Sequence, residues 1–277
     1  MSLEAVAALT VVGLAVGFLS GLVGIGGGVL IVPFLYFFYG HPAFSGVAVA
    51  PHLEASVAHA TSLFIIMPTA VVGTLTYAKV QLVSWSAVLP IALFSVIAAA
   101  LGAQLALLLP PEILKLVFGT FLIFTGAQLV GRKSTSEVKP LRLTLPVTAF
   151  TGLMVGLLSA LLGVGGGLVA IPMLIYLVRL DMPRIAATSL AVVMFAAAAG
   201  TVSYAINGFG DPGLPRGSVG YVHVTAALPI LLGSLLSVRW GARANQKVNR
   251  RTLRLAFGVL FALIGARLVA NSVMALA

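Results

Sequence analysis

Two glycine-rich stretches are the residues of this chain best suited to binding a ligand. They read Gly24-Ile-Gly-Gly-Gly28 and Gly163-Val-Gly-Gly-Gly167, and each interrupts a long apolar run. Neighbouring glycines favour an unwound stretch whose backbone N–H groups lack helical partners. A helix that begins directly afterwards adds the positive end of its dipole. The pattern predicts an anion-binding site made by Gly24, Gly26, Gly27, Gly28, Gly163, Gly165, Gly166 and Gly167.

Pairs of hydroxyl side chains accompany the glycines in both halves of the sequence. Thr61-Ser62 and Thr188-Ser189 each lie within Ala-Thr-Ser-Leu, near the start of an apolar segment. Their hydroxyls could donate hydrogen bonds to an anionic oxygen. Capping of a helix, or bonding to a backbone carbonyl, is the structural alternative. Because the pair occurs twice, we assign both pairs to the candidate substrate site.

One histidine lies where a membrane segment is expected. An ionisable group inside a membrane is a functional candidate, so His59 is assigned a possible role in proton coupling. Its counterpart in the second half is Ala186, so the repeat does not support this role. We expect His41, His52 and Glu54 to be solvated in an external insertion, and their spacing matches no metal site.

The chain lacks the residues that most catalytic centres require. It contains no cysteine, which excludes disulfides, thiolate catalysis and thiolate metal sites. Glu4 is the one acidic residue that could lie at membrane depth. The sequence therefore predicts a protein that is not an enzyme and that needs no cofactor or metal.

The composition places these residues in a membrane protein. Of 277 residues, 60% are apolar and 8% are charged, whereas about a quarter are charged in a typical soluble domain. A mean hydropathy of +1.15 argues against a soluble enzyme, a disordered chain or a nucleic-acid-binding module. The expected partners are a small anion and membrane lipid, without nucleic acid. The oligomeric state stays open.

The chain is an internal duplication. Residues 17–28 match residues 156–167 almost position by position, and later matches keep the order of the two halves. Changes in the offset between matches indicate one insertion in each half, within 40–58 and 207–219. The predicted organisation is a first repeat over 1–131, a cytoplasmic basic linker over 132–142 and a second repeat over 143–277.

Each half contains five apolar segments, and the second of each is too short to cross a bilayer. That segment holds 13 or 14 residues, whereas a spanning helix needs about 20. Small residues at i, i+4 and i+8, Gly13, Gly17 and Gly21, predict close helix packing. The predicted segments are 3–23, 27–39, 56–78, 84–108 and 112–131, then 143–162, 166–179, 184–206, 219–240 and 251–271.

Positive charge selects between two membrane topologies. If the segments flanking each glycine stretch count as two passes, the halves are inverted; if they form one kinked pass, the halves are parallel. Cytoplasmic loops carry an excess of Lys and Arg. With the linker inside, the inverted arrangement puts 13 basic residues inside and 3 outside, against 7 and 9 for the parallel one. The inside set is Lys79, Arg132, Lys133, Lys139, Arg142, Arg179, Arg184, Arg239, Arg243, Lys247, Arg250, Arg251 and Arg254; the outside set is Lys115, Arg216 and Arg267.

The sequence therefore predicts an all-α polytopic membrane protein. Two inverted repeats of about five segments each would bring the glycine-broken half-helices together near the membrane midplane. This is the architecture expected of secondary transporters with alternating access. The alternatives that stay open are an anion channel, or a carrier of another small anion such as a carboxylate.

The doubled motif resembles a known transporter family. Paired Gly-x-Gly-Gly-Gly breaks, each with a proline five residues later (Pro33 and Pro172) and a Thr-Ser-Leu segment, look like the sulfite exporter TauE/SafE family of membrane permeases. The similarity spans essentially the whole chain. It implies transport of sulfite, of organosulfonates such as sulfoacetate, or of a related sulfur-containing anion, across a bacterial inner (plasma) membrane.

Overall fold

The computed structural model describes residues 3–131, 140–245 and 250–276, and they are predominantly helical. The described elements also include a 3₁₀ turn at Pro51–Leu53 and a two-stranded antiparallel hairpin, β1 Ser218–Val219 and β2 Val222–His223. The helices are α1 Leu3–Val23, α2 Gly28–Gly40, α3 Pro42–Ser45, α4 Glu54–Ala78, α5 Trp85–Leu108, α6 Pro111–Gly131, α7 Leu145–Leu162, α8 Gly167–Tyr176, α9 Met182–Asn207, α10 Val224–Ala244 and α11 Arg250–Leu276.

Proline and glycine mark several helix ends. Pro111 opens α6 and Pro183 lies in the first turn of α9, where the missing amide hydrogen costs no helical hydrogen bond. Gly163 closes α7 with a left-handed backbone, φ 67°, and its N–H donates to the carbonyl of Ser159. Gly24 takes φ 82° directly after α1. The helices stop where the sequence allows the chain to turn.

The prediction of an all-α membrane protein is confirmed. Within the described residues, six helices are long and apolar enough to cross a membrane: α1, the 3₁₀ turn with α4, α5, α7, α9 and α10. The two predicted half-helices appear as α2 and α8, with 13 and 10 residues. A ring of large apolar side chains faces outward, as lipid contact requires; it includes Leu89, Leu93, Leu101, Leu232, Leu236 and Leu263.

The predicted start of one segment is wrong. The pattern places residues 219–223 in the helix that becomes α10, but they form the end of β1, the turn and β2 of the hairpin. Val219 and Val222 are apolar in either structure, so hydropathy did not separate them. The two predicted insertions meet each other here. A Cβ atom on Gly213 would lie 3.0 Å from Cδ1 of Leu53, and β2 packs on α4.

Glycines bring helices of different halves into backbone contact, as predicted for Gly13, Gly17 and Gly21. A Cβ atom on Gly13 would fall 2.8 Å from Cα of Ile230, and one on Gly17 would fall 2.5 Å from Cα of Ser234. The residue numbers of the contacts increase together along the two helices, so α1 and α10 run parallel. The corresponding helices α7 and α5 pack in the same way, with Gly152 and Gly156 against Ile91 and Ser95.

Helices that correspond in the repeat cross each other antiparallel. In α4 and α9 the model places Gly73 against Leu190 and Gly200 against Leu63. In the pair α6 and α11, Gly119 lies against Gly265 and Gly126 against Gly258. Two inverted halves related by an axis in the membrane plane would give this reciprocal pairing. Among the candidate spans, α4 and α9 are the most buried, so they form the centre of the bundle.

We expect opposite labelling sides for two introduced cysteines, because inverted halves place the linker inside and both insertions outside. Thr144→Cys, at the exposed start of α7, should react only with a reagent admitted to the cytoplasmic side. Pro212→Cys, in the exposed second insertion, should react from outside. Reaction of both from one side would contradict the inverted arrangement. The natural chain contains no cysteine, so no background needs to be removed.

Several of the basic residues that the sequence places inside are not described by the structure. Arg132, Lys133, Lys139 and Lys247 are outside the described residues, as are the side chains of Arg250, Arg251 and Arg254. The labelling experiment therefore carries the test of topology.

Candidate functional site

Both glycine stretches adopt the left-handed backbone that only glycine takes without strain. Gly24, Gly26 and Gly27 have φ values of 82°, 81° and 83°, and Gly163, Gly165 and Gly166 have 67°, 74° and 78°. The two breaks therefore have the same conformation. Gly27 and Gly166 are the N-cap residues of α2 and α8. The predicted unwinding followed by a helix start is confirmed.

The two breaks pack directly against each other at the middle of the molecule. A Cβ atom on Gly28 would lie 2.5 Å from Cα of Val164, and one on Gly167 would lie 2.5 Å from Cα of Ile25. No side chain fits between them. Gly28 and Gly167 therefore also serve close backbone packing, as Gly13, Gly17 and Gly21 do.

Unsatisfied hydrogen-bond donors collect at the breaks. Within the described residues, the amides of Gly26, Gly27, Gly165 and Gly166 donate no hydrogen bond. Gly28 and Gly167 begin helices, where no preceding turn offers a carbonyl. Buried amides without partners are rare and call for an explanation. A bound anion would supply it.

Two buried serine hydroxyls add to this set. Ser20 and Ser159 occupy equivalent positions, near the ends of α1 and α7, and the hydroxyl of each has no hydrogen-bond partner among the described residues. Cβ of Ser20 lies 3.5 Å from the position of a Cβ atom on Gly27. The corresponding distance from Ser159 to Gly166 is 3.1 Å. Each break thus has an unpaired hydroxyl beside its unpaired amides.

Apolar side chains cover the breaks in this conformation. Cβ atoms on Gly26 and on Gly165 would both meet the Cγ atoms of Ile66 and Val193, at 2.8–3.2 Å. Ile66 and Val193 lie near the midpoints of α4 and α9, so the breaks sit at mid-height of the two central helices. Residues 24–28 and 163–167 are buried throughout. The conformation is therefore closed around the candidate site.

The predicted serines tie each break to the opposite half. The hydroxyl of Ser62 donates to the carbonyl of Gly163 at 2.7 Å, and that of Ser189 donates to the carbonyl of Gly24 at 2.8 Å. In this conformation their protons are engaged by the backbone rather than free for a ligand. They hold the two halves together at the point where the chain unwinds.

The predicted threonines receive hydrogen bonds from backbone amides. Thr61 Oγ1 accepts from the N–H of His223 at 3.0 Å, and Thr188 Oγ1 accepts from the N–H of Ser84 at 3.1 Å. Ser84 and His223 precede α5 and α10 directly. The threonines lie well inside α4 and α9 rather than at their starts, so they do not cap those helices. The Thr61 hydroxyl also lies beside the hydroxyl of Tyr39.

Replacing Thr61 or Thr188 with valine keeps the shape of the side chain and removes its hydroxyl. If the hydroxyl proton contacts the anion, affinity should fall about tenfold, the loss expected for one charge-assisted hydrogen bond. Thermal stability should also fall, because a buried amide of His223 or Ser84 loses its acceptor. Thr61→Ser and Thr188→Ser are the controls and should restore both. Valine variants with normal affinity but reduced stability would assign the threonines to structure.

His59 is fully buried and bonded to a tyrosine. Its Nε2 lies 2.5 Å from the hydroxyl of Tyr36, and its Nδ1 has no partner among the described residues. Its Cα and ring edge also contact the second break, 2.6 Å and 3.0 Å from the position of a Cβ atom on Gly163. The predicted ionisable group is therefore next to the candidate site.

A second tyrosine–histidine pair involves Tyr39, one turn after Tyr36 on α2. Tyr39 Oη is 3.2 Å from Nδ1 of His223, whose Nε2 is 2.7 Å from the hydroxyl of Thr225. Burial lowers the pKa of His223 below the usual value for histidine. Both ring nitrogens have partners, which fixes the orientation of the ring.

The expectation that Glu54 is merely solvated is wrong. It opens α4 and forms an ion pair of 3.3 Å with Lys115 of α6, with side-chain exposures of 17% for the acid and 24% for the lysine. Lys115 Nζ also lies 5.5 Å from the ring centroid of Tyr36. The contacts arise because α6 and α11 pack together and leave a gap beside α2 and α4.

That gap is a cavity of about 360 Å³. Its walls are formed by α2, the start of α4, the start of α6 and the end of α11, and they include Tyr36, Glu54, Glu112, Lys115 and Arg267. In the inverted arrangement this end of the bundle faces outside. No group of three or more His, Asp or Glu side chains positioned for a metal occurs in the described part of the chain.

Sequence reasoning missed three residues of this region. Ser20 and Ser159 were visible, because the repeat aligns Gly-Phe-Leu-Ser with Gly-Leu-Leu-Ser, but they stood inside a packing motif. Tyr36 gave no signal, since its counterpart in the second half is Ile175 and its partner His59 lies on another helix.

Comparison with known proteins identifies the chain's relatives. A profile of the sulfite exporter TauE/SafE family matches residues 9–268. The chain is 29% identical to "Probable membrane transporter protein MJ0441" of Methanocaldococcus jannaschii, over 93% of this chain and 92% of that protein. It is 26% identical to "Probable membrane transporter protein YunE" of Bacillus subtilis, over 94% and 96%. No solved structure matches. The chain is an integral membrane transporter, not an enzyme, and it belongs to the sulfite exporter TauE/SafE family.

Proposed function

We propose that this transporter is a secondary carrier that moves sulfite, an organosulfonate or a related sulfur-containing anion across the plasma membrane. The observation that carries the proposal is the pair of buried breaks, with unpaired glycine amides and the unpaired hydroxyls of Ser20 and Ser159. The substrate class itself follows the family name. The unpaired donors of the breaks and the family name both point to an anion with several oxygens.

The chemistry of the breaks suits such an anion. A sulfonate or sulfite group presents three oxygens that accept hydrogen bonds in different directions. Amides at two helix starts, with two hydroxyls, can serve several of these oxygens without a fixed positive charge. Neutral donors hold an anion less tightly than a buried lysine would, which favours release. Ile66 and Val193 offer an apolar surface to the organic part of a sulfonate.

The repeat supports a carrier mechanism rather than a pore. Each break directly precedes a half-helix, and both breaks contact the antiparallel helices α4 and α9 at Ile66 and Val193. Rocking of one half against the other would expose such a site to each side in turn. Gly24, Gly163, Thr61, Ser62, Thr188 and Ser189 belong to the same proposed site and support its geometry from the neighbouring helices. Membrane lipid is the other proposed partner, through the outward apolar side chains.

Counterflow in proteoliposomes tests the proposal. Vesicles loaded with unlabelled sulfoacetate should transiently concentrate labelled sulfoacetate from outside, and sulfite should compete. Sulfate, thiosulfate and taurine define the selectivity, and acetate tests a carboxylate substrate. A channel gives equilibration without the transient overshoot. Absence of counterflow with every sulfur-containing anion would overturn the proposed substrate class.

A further inference from the structure

His59 is a buried ionisable side chain that anion binding at the glycine breaks does not use. It has no exposed surface, and one of its two ring nitrogens has no partner among the described residues. A buried polar atom left unpaired is costly, and at membrane depth it marks a functional candidate. The repeat offers no structural reason for it, because Ala186 fills the equivalent place against Gly24.

Tyr36 connects His59 to the external cavity. The tyrosine lines the cavity and is 7% exposed, while its hydroxyl bonds Nε2 of the buried histidine. Lys115 Nζ lies 5.5 Å from the centroid of the Tyr36 ring, and it forms the ion pair with Glu54. A hydroxyl between a cavity and an imidazole can pass a proton, because it donates and accepts hydrogen bonds at once.

Titratable groups reach the pair from several helices. Tyr36 comes from α2, Lys115 from α6 and Glu54 from the start of α4. Tyr204 on α9 lies near Tyr36, and its hydroxyl donates to the carbonyl of Ala160. Glu112, Arg267 and His41 also line the cavity. The two carboxylates balance Lys115 and Arg267, so with His41 neutral the cavity favours neither sign of charge.

We propose that Tyr36 and His59 form a proton path from the external cavity to the second glycine break, and that it couples anion transport to proton transport. The inference rests on the carrier function proposed above. Tyr36 passes its hydroxyl proton to Nε2 of His59 and regains one from cavity water, so one proton enters and the ring becomes imidazolium. The positive charge then lies beside Gly163 and favours the anion there.

The proton taken up by His59 must be released before the next transport cycle. When the carrier changes state, the imidazolium gives its Nδ1 proton to water on the other side and is left as the Nε2–H tautomer. The Nε2 proton then moves to Nδ1 through that water, which restores the starting Nδ1–H tautomer. One proton therefore crosses with each cycle, and the histidine returns to its neutral form. Exchange of one anion for another needs no return of the empty carrier, so it does not require this release. Net transport does.

The test compares net proton movement with anion exchange in the same proteoliposomes. A trapped pH indicator should report proton movement when a sulfoacetate gradient is imposed on the parent. His59→Gln and Tyr36→Phe should lose this signal about tenfold or more, since the relay is broken. Counterflow should persist with a higher half-saturation, because exchange needs no proton release but the imidazolium charge beside Gly163 is missing. Proton movement at the parent rate in His59→Gln would overturn the inference.

The second tyrosine–histidine pair is the matched control. Tyr39→Phe and His223→Gln remove a similar hydrogen bond from the same helix but leave the cavity and His59 in place. Both should keep proton movement and counterflow. Loss of the proton signal in all four variants would overturn the assigned path. Counterflow without any proton signal in the parent would overturn the inference and leave the carrier function standing, whereas absence of counterflow would overturn both.

Cysteine access tests the path without any substrate. Tyr36→Cys should react with a polar thiol reagent added outside, because its side chain lines the cavity. Tyr39→Cys, on the same helix and 1% exposed, should not react. Protection of Tyr36→Cys from outside reagent would show that the cavity does not supply His59 and would overturn the inference.

Discussion

A carrier with both Ser20 and Ser159 replaced by alanine should be at least as stable as the parent and should bind its anion about a hundredfold more weakly. Each hydroxyl is buried without a partner in the described structure, so its removal deletes an unsatisfied polar group. Each would donate a charge-assisted hydrogen bond to the anion, worth about 1.5 kcal/mol or more. Affinity is measured by competition in counterflow, and stability by thermal unfolding in detergent.

Thr151→Ala provides the matched control for this pair. Its hydroxyl is also buried and unpartnered among the described residues, and it lies on α7 two turns before Ser159. Its removal should leave affinity unchanged and stability equal or higher. The opposite change is expected in Ser189→Ala, which breaks the bond to Gly24 and lowers stability. Normal affinity in the double serine variant would remove the hydroxyls from the site.

Alanine at Gly28 or Gly167 should prevent folding, the largest structural effect expected in this chain. The added methyl group would lie 2.5 Å from Cα of Val164 or of Ile25, so two backbones would have to separate. Backbone atoms cannot move aside as the tip of a side chain can, and overpacking in a dense core is costly. The yield of monodisperse protein after extraction measures the effect.

Gly40→Ala, at the far end of α2, is the control for this prediction. A Cβ atom there meets nothing within 4 Å, so the variant should match the parent in yield. Gly26→Ala should be intermediate, because its methyl group meets only the side chains of Val193 and Ile66 but strains a backbone at φ 81°. A Gly167→Ala variant with the parent's yield and melting temperature would show that the two breaks do not touch.

The membrane helices could be predicted because a bilayer imposes a simple rule. A spanning segment must satisfy its own backbone and face lipid, so each long apolar run becomes a helix. Hence α1 ends at Val23 and α4 at Ala78, as predicted. The rule does not apply outside the bilayer, which is why the hairpin before α10 was assigned to a helix.

The site was predictable only where the backbone itself carries the signal. Three neighbouring glycines predict an unusual backbone, and both breaks adopt the left-handed conformation. The partners of a side chain depend on the fold, so the sequence did not show that Ser62 bonds the opposite break or that Tyr36 reaches His59. Ser20 and Ser159 were hidden for a related reason, since a missing partner leaves no trace in sequence.

The two insertions have an energetic consequence for the transport cycle. Two identical inverted halves would give outward-open and inward-open forms of equal free energy. The two-fold axis in the membrane plane would convert one form into the other. Here Leu53 of one insertion meets Gly213 of the other on one face. On the same face Tyr39 Oη bonds His223, where the repeat has Val178 and Ser84 at the opposite face. Opening that face breaks contacts that opening the other does not. We therefore expect a resting population biased toward the form closed on the insertion side, about tenfold for each 1.4 kcal/mol of contact, and unequal half-saturation for the same anion on the two sides.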